Sequence, residues 1–315
     1  MTFQQLNYIV EISKCGSINK AASKLFLSQS GISTAVRDLE EELGLKFFNR
    51  SNRGVEFTPE GQEFLGYAIS LLEQKRRIES LYGESRDMQA ATHFSVSTQR
   101  YPFVEDAFLK MLDQTQDNRF QYSLKETGMD GVIDDVYDHR AEIGIIFLTN
   151  DTEKMIGRLL GSRGLEFHEL VEVPACVFVR KDHPLTKKEM VTEADLDGYP
   201  YVSFERAQGV AVDFSEECQM ISLRKPAKCI VVNSRNVSTN VLVRSDAFTT
   251  GSGLLVEGLS QDTMTSIPLA GKMNIRLGWI YPKNAKPTPY VEQFVALLHQ
   301  SIAESIAYTE KLRQK

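Results

Sequence analysis

The stretch AASKLFLSQSGISTAVRDLEEELG, residues 21–44, decides the fold of the N-terminal part of the chain. Ile32, Val36 and Leu39 recur at helical spacing, which predicts a helix with one buried face. Ser28 is suited to cap the start of this helix, and Gly44 is suited to end it. The outer face carries polar side chains that a core does not need: Ser28, Gln29, Ser30, Ser33, Thr34 and Arg37.

Two shorter helices precede this one, the first ending at Gly16 and the second capped by Ser17. Two helices joined by a short turn, with polar residues at the start of the second, form the helix-turn-helix pattern. In that pattern the second helix enters the major groove of DNA. Gln29 matches the edge of adenine and Arg37 matches the edge of guanine. The alternative is a solvated face in an all-helical domain.

A hairpin with arginines at its tip is predicted next, in LKFFNRSNRGVEFTPEG, residues 45–61. Arg50 and Arg53 would lie where a phosphate backbone or a minor groove passes. Residues 1–58 hold four Lys and three Arg against five Glu and one Asp, so their net charge is only 7 − 6 = +1. Three of the glutamates cluster at 40–42, away from these arginines, so we expect a polarised surface.

These residues resemble the N-terminal domain of LysR-type transcriptional regulators. The shared features are the paired alanines, the Ser-Gln that opens the third helix, the Leu-Glu-x-x-Leu-Gly helix end, the Phe-x-Arg of the hairpin and a Thr-x-x-Gly. The resemblance spans most of residues 3–65. Ser30 stands where the family often has proline, and Thr34 where it often has arginine. Both positions belong to the base-reading face, so the preferred DNA site is expected to differ from that of relatives.

A long helix is predicted from Thr58-Pro59-Glu60, which combines an N-cap, a first-turn proline and an acidic residue. Its apolar seam suggests a partner helix and therefore a dimer; the alternative is packing on the next domain of the same chain. The resemblance implies the same linker role, with tetramers common in the family. The seam consists of Phe64, Ala68, Leu71, Lys75, Ile78 and Tyr82.

The rest of the chain alternates predicted strands and helices, which indicates a mostly parallel sheet covered on both faces. The resemblance implies two lobes like those of periplasmic binding proteins. The predicted fold is therefore an α+β multidomain chain, with a winged helix-turn-helix at 1–58, a linker helix at 59–90 and a two-lobed α/β effector domain at 91–315. Lobe 1 is expected at about 91–163 and 270–315, and lobe 2 at about 164–269. Strands are expected at 93–98, 120–126, 142–148, 175–180, 200–204, 228–233, 246–249 and 276–281.

Polar residues at three predicted strand ends suggest a ligand site, because ligands of open α/β sheets bind outside the carboxyl ends of strands. Hydroxyl and amide groups next to a helix N-terminus favour an anion. By resemblance these are positions from which family members hold effectors. The predicted effector-binding residues are Ser97, Thr98, Gln99, Thr127 and Ser203.

Several classes of function have no support in the sequence. The four cysteines have no C-x-x-C spacing, the five histidines are scattered, and no phosphate-binding loop or nucleophile elbow is present. We therefore expect neither an enzyme nor a bound metal or cofactor. The net charge of −6 requires any DNA binding to be local. No apolar run of about 18 residues predicts a membrane span, and the N-terminus does not resemble a signal peptide.

The sequence thus predicts a cytoplasmic, sequence-specific transcriptional regulator whose activity depends on a small polar or anionic effector. Its expected partners are double-stranded DNA with an interrupted palindrome, the effector and further copies of itself, as a homodimer or homotetramer. RNA polymerase is a further candidate partner, and no membrane is expected. The alternatives are a cytoplasmic small-molecule-binding protein of the solute-binding fold and a thiol-based redox regulator that uses Cys218 and Cys229.

Overall fold

The chain divides into two compact units, Met1–Ala90 and Ala91–Lys315. The computed structural model describes residues 1–51, 54–82, 92–205, 227–259, 263–271 and 274–313. Within these ranges the first unit is mainly helical, and the second is built on β-sheets.

The first unit begins with three helices whose ends match the predicted caps. The Ser17 and Ser28 hydroxyls accept hydrogen bonds from backbone N–H groups in the first turns of the second and third helices. Gly16 and Gly44 end the first and third helices with φ of 61° and 66°, a left-handed conformation that glycine adopts without strain. The helices are α1 (Phe3–Cys15), α2 (Ile18–Lys24) and α3 (Gln29–Leu43).

A hairpin and a long helix complete this unit. Strands β1 (Phe48–Ser51) and β2 (Gly54–Phe57) pair in antiparallel register, and α4 (Pro59–Tyr82) follows. The Thr58 hydroxyl accepts a hydrogen bond from Gly61 N at 2.9 Å. A side chain at Gly61 would place Cβ 2.2 Å from the backbone oxygen of Phe47, so the Thr-x-x-Gly pattern has a steric cause.

The predicted apolar seam of α4 is used in two different ways. Phe64 stacks on Phe47 with ring centroids 4.4 Å apart, and Ala68 is fully buried in the core of the first unit. The prediction that the seam packs on a partner helix is therefore wrong for the first half of the seam, because α1 and its neighbours already cover that half. Leu71 and Ile78, further along, remain exposed.

The described strands of the second unit are β3 (Thr92–Thr98), β4 (Phe120–Glu126), β5 (Ile143–Thr149), β6 (Leu165–Pro174), β7 (Cys176–Arg180), β8 (Tyr201–Phe204), β9 (Cys229–Val232), β10 (Thr249–Gly251), β11 (Met264–Pro268) and β12 (Asn274–Pro282). Five of them form a sheet in the order β4-β3-β5-β12-β6. Strand β3 is parallel to β4 and β5, whereas β12 is antiparallel to β5 and β6. A three-stranded sheet, β10-β7-β11, and a parallel pair, β8-β9, form the second lobe.

Helices lie between these strands and after the last of them, and the predicted two-lobed α/β architecture is confirmed. A large core cluster joins the first sheet to its helices, with Phe94, Phe147 and Phe294 almost completely buried. The helices are α5 (Pro102–Gln114), α6 (Met129–Tyr137), α7 (Glu153–Ser162), a 3-10 helix (Pro184–Lys187), α8 (Glu193–Leu196), α9 (Arg235–Arg244) and α10 (Pro289–Arg313).

The chain passes from the first lobe to the second later than predicted. Strand β6 pairs with β12 along its whole length, so it belongs to the first sheet, and the crossing falls at Ala175. Gly164, near which we expected the crossing, has a φ of 66° and only turns the chain from α7 into β6. The start of lobe 2 at 164 was therefore wrong. The chain returns to the first sheet after β11, between Pro268 and Asn274.

Candidate nucleic-acid interface and effector cleft

Helix α3 has two distinct faces. Ile32, Val36 and Leu39 are at most 1% exposed and form part of the core. The other face carries the six predicted DNA-contacting side chains that belong to α3 and its cap, five of them exposed and one half-buried: Ser28, Gln29, Ser30, Ser33, Thr34 and Arg37.

Hydrogen bonds orient several side chains on this outer face. Gln29 Nε2 donates to Ser33 Oγ at 2.8 Å, which aligns the amide along the helix. Ser28 Oγ caps the helix by accepting from Gly31 N at 3.1 Å, and Ser30 Oγ donates to it at 3.3 Å. The start of α3 thus presents a row of polar groups that are oriented by hydrogen bonds.

The acidic cluster at the end of α3 is engaged within the first unit. Glu42 binds the N-terminal ammonium at 2.6 Å, and Glu40 accepts from Phe47 N at 2.7 Å. Arg37 lies 3.9 Å from Glu41, but both side chains are exposed, so this ion pair contributes little and leaves Arg37 available to a stronger anion. Arg37 therefore lies beside one of these glutamates, and positive and negative groups are only partly separated along α3.

The hairpin arginines are only partly described. Arg50 lies on β1, with its Cα opposite that of Val55. Arg53 lies outside the described residues, as does the predicted redox residue Cys218. The other cysteine of that pair, Cys229, is an exposed free thiol 3.4 Å from Ser203 Oγ.

In the second unit, three parallel strands end at the same edge of the sheet, and each contributes a threonine there. Thr98 ends β3, Thr127 follows β4 and Thr149 ends β5. Thr127 N donates to Thr98 O at 2.9 Å, which places the first two side by side. Thr149 was not predicted from the sequence, because the strand was expected to end at residue 148.

Thr98 and Gln99 are buried at this edge. Thr98 is 1% exposed, and its hydroxyl has no hydrogen-bond partner among the described residues. A buried polar atom without a partner costs free energy, so it marks a place where a ligand or water belongs. Gln99 is 6% exposed, and Tyr101 OH donates to its Oε1 at 3.5 Å.

Ser97 and Ser203 occupy different environments. Ser97 is completely buried and donates to Asp135 Oδ2 at 2.7 Å. Lys125 and Arg140 also bind this carboxylate, so Ser97 takes part in an internal ion network and does not face the cleft. Ser203 is half-buried on β8; Phe204, which follows it, faces the cleft instead.

A cavity of about 80 Å³ lies between the loop after β3 and the second lobe. Arg100 and Arg235 are the cationic groups among its lining residues, and sequence analysis missed both. The guanidinium of Arg100 lies 3.9 Å from the centre of the Phe204 ring. The described lining residues are Arg100, Tyr101, Pro102, Phe178, Phe204, Arg235, Ser238, Thr239, Leu242, Thr249, Thr250, Gly251, Ser252, Leu254 and Met264.

Arg235 links the two lobes across this cavity. From α9 in the second lobe it forms ion pairs with Glu105 on α5 and, at 3.1 Å, with Glu126 at the end of β4. Burial raises the pKa of Glu126, although the charge of Arg235 opposes this. The guanidinium of Arg235 is therefore already paired with the carboxylates of Glu105 and Glu126. An anionic ligand in the cavity would have to compete with them.

The described ranges contain neither a metal-binding cluster nor a membrane-spanning helix. No group of three His, Cys, Asp or Glu side chains there has a geometry that would hold a metal ion. None of the described helices is long and apolar enough to cross a membrane.

Comparison with known proteins identifies the family. Residues 3–62 match the model of the bacterial regulatory helix-turn-helix protein, lysR family, and residues 114–303 match the LysR substrate binding domain. The chain therefore belongs to the LysR family. It is a DNA-binding transcriptional regulator with an effector-binding domain, and the predicted family and function are confirmed.

One relative resembles the chain over nearly its whole length, and another over a short segment. The Hca operon transcriptional activator HcaR of Escherichia coli is 26% identical, covering 98% of this chain and 100% of the relative. The regulator BenM of Acinetobacter baylyi is 43% identical over 72 residues, which cover 23% of this chain and 24% of BenM.

A solved structure of full-length CbnR with its target DNA has a TM-score of 0.61 at 18% identity, covering 96% of this chain and all of CbnR. At this level of identity the comparison supports the fold alone, which agrees with the predicted architecture.

Proposed function

We propose that this regulator reads an interrupted palindrome through α3 and responds to a small anion held at the strand ends of its effector domain. The observation that carries the first part is the single row of ordered polar side chains on α3. The observation that carries the second is a cavity lined by two arginines, one of which, Arg100, follows the unpartnered Thr98 by two positions in the chain.

On DNA, each side chain of the α3 face has a role set by its chemistry. Gln29 pairs with the N6/N7 edge of adenine, and Arg37 binds guanine or a phosphate. Ser28, Ser30, Ser33 and Thr34 contact bases or phosphates near the start of the helix. Arg50 and Arg53 contact the backbone from the hairpin. CbnR, which shares the fold, has been solved with its target DNA.

Two copies of α3 are needed to read two half-sites, and α4 offers the surface that joins them. Ile78 is 59% exposed, and Leu71, seven residues earlier on the same face of the helix, is also exposed, which is unfavourable in water unless a second helix covers them. We propose a homodimer built on this half of α4, or a homotetramer of two such dimers.

The effector is proposed to be small and negatively charged. The cavity of about 80 Å³ suits a small molecule. Arg100 and Arg235 supply charge, and Thr98, Gln99 and Thr127 supply hydrogen bonds at the strand ends. Ser97 positions this edge through Asp135.

An anion that binds Arg235 would replace its ion pairs with Glu105 and Glu126, which join the two lobes. Such a ligand shifts the population between two arrangements of the effector domain, because it binds them with different affinity. We further propose that the protein acts in the cytoplasm, without catalysing a reaction, and that RNA polymerase is its partner at promoters.

The test combines both halves of the proposal in the full-length protein. Genomic fragments are incubated with the protein, with and without inorganic anions and small carboxylates, and bound fragments are sequenced. We expect a shared palindromic fragment whose footprint changes with one class of anion. A protein that selects no fragment contradicts the DNA-reading role of α3, whereas selection that no anion alters contradicts the effector assignment.

A further inference from the structure

Phe26 occupies the turn between α2 and α3, with its side chain 96% exposed. That is the largest exposed fraction among the large hydrophobic side chains that the structure describes. Its φ of +55° is left-handed, a conformation that is unfavourable for a bulky L-residue. An exposed ring in a strained conformation is unfavourable on both counts.

The strain belongs to the turn and not to the ring. Phe26 N donates to Ser23 O at 3.3 Å, and Leu27 N donates to Ala22 O at 2.9 Å, so α2 fixes the path of the backbone. Glycine or asparagine adopts this conformation more easily. Because the ring is almost fully exposed, it adds little burial to the fold, and folding gives no reason for a phenylalanine here.

The position of Phe26 suggests a different role. Residues 26–31 are all exposed, so the ring is continuous with the start of α3, where Ser28, Gln29 and Ser30 lie. The N-terminal end of the recognition helix faces base edges in the major groove. The apolar group that this groove offers is the C5-methyl of thymine.

We propose that Phe26 is a specificity-determining residue that contacts a thymine methyl beside the base read by Gln29. This inference rests on the proposed base-reading role of α3. It accounts for an apolar ring held in a strained, solvated turn, because DNA supplies the burial that the protein does not.

The test uses full-length protein and a duplex that it selects from a randomised pool. In matched duplexes, each thymine in turn is replaced by uracil, which lacks only the methyl group. For the wild type, one replacement in each half-site should weaken binding about fourfold, the effect of losing one buried methyl. Phe26→Asn, which suits the left-handed turn, should bind both duplexes equally, whereas Phe26→Tyr, which keeps the ring, should still discriminate.

Folding is followed in the same variants by hydrogen exchange of the α1 and α3 amides. Exchange in Phe26→Asn should be unchanged or slower than in the wild type, because strain is removed and little packing is lost. Faster exchange would overturn the proposal by giving the ring a packing role. Equal methyl discrimination by wild type and Phe26→Asn would also overturn it. A wild type that selects no duplex would instead refute the base-reading role of α3.

Discussion

Thr98 and Ser97 are neighbours in sequence with opposite roles. The Thr98 hydroxyl is buried without a partner among the described residues, whereas the Ser97 hydroxyl binds the buried carboxylate of Asp135. The sequence indicated both as ligand contacts, because alternation along β3 does not reveal which hydroxyl is already satisfied. The roles of the two residues differ because Asp135, on the neighbouring helix α6, binds the hydroxyl of Ser97 and not that of Thr98.

Substitution at these two positions should therefore have different results. Thr98→Val removes an unsatisfied group and keeps the shape, so the stability of the ligand-free protein should hold while the response to anions is lost. Ser97→Ala leaves Asp135 short of a donor and should lower the free energy of unfolding by about 1–3 kcal/mol. Thermal shift with and without anion measures both. An anion response that survives Thr98→Val would place the ligand elsewhere.

Asp135 also predicts a pH dependence. Burial alone would raise its pKa, but hydrogen bonds from Lys125, Arg140 and Ser97 outweigh it and hold the pKa below the ordinary value of 3.8. A carboxyl whose pKa is lowered by folding stabilises the protein above its unfolded pKa, and this contribution is lost as the pH falls through the lowered value.

The melting temperature of the wild type should therefore fall more steeply below pH 3.8 than that of Asp135→Asn, which cannot titrate. Above that pH the difference between the two proteins should stay constant. If the melting temperatures of the two proteins instead fell in parallel as the pH is lowered, the ionised Asp135 would contribute no pH-dependent stability.

At the scale of elements, helix α3 followed closely from the sequence, because its caps, its period and its exposed face are all local signals. Strands β6 and β11 were missed. Strand β6, LEFHELVEVP, alternates apolar residues with His and Glu, and at a sheet edge such a strand resembles a polar connection. The five residues of β11 gain strand character from pairing with β7, a contact distant in sequence.

The cleft was predicted less completely, because it too depends on contacts between residues that are distant in the sequence. The strand-end hydroxyls follow from local pattern, but Arg235 reaches Glu105 from a helix that lies 130 positions further along the chain. No spacing within α9 indicates that contact.

Helix α4 gives a prediction at this scale. Ile78→Glu places a charge on the exposed apolar half of the helix. Sedimentation equilibrium should then show dissociation towards monomer. Binding to a duplex with two half-sites should weaken at least tenfold, a loss of about 1.4 kcal/mol. The matched control is Glu79→Gln, which removes only the exposed Lys75 ion pair and should leave assembly unchanged. Equal assembly of both variants would contradict a dimer surface at Ile78.

At the scale of the whole molecule, one chain combines a unit that reads DNA with a unit that binds an effector. Its net charge of −6 would repel DNA, but Glu40 and Glu42 at the end of α3 are engaged within the first unit. Glu41 makes only a weak, exposed ion pair with Arg37. Sequence preference should therefore depend on a few side chains near the start of α3.

The most direct test of this account is the affinity of full-length wild type, Gln29→Ala and the control Gln62→Ala for the selected duplex and for a scrambled duplex. Gln62 is exposed on α4 and is not one of the predicted DNA-contacting residues. We expect Gln29→Ala to lose about 1–3 kcal/mol of the difference in binding free energy between the two duplexes. Its affinity for scrambled DNA should match that of the wild type. Gln62→Ala should bind both duplexes with the affinities of the wild type. Equal loss on both duplexes after Gln29→Ala would contradict the claim that α3 reads bases.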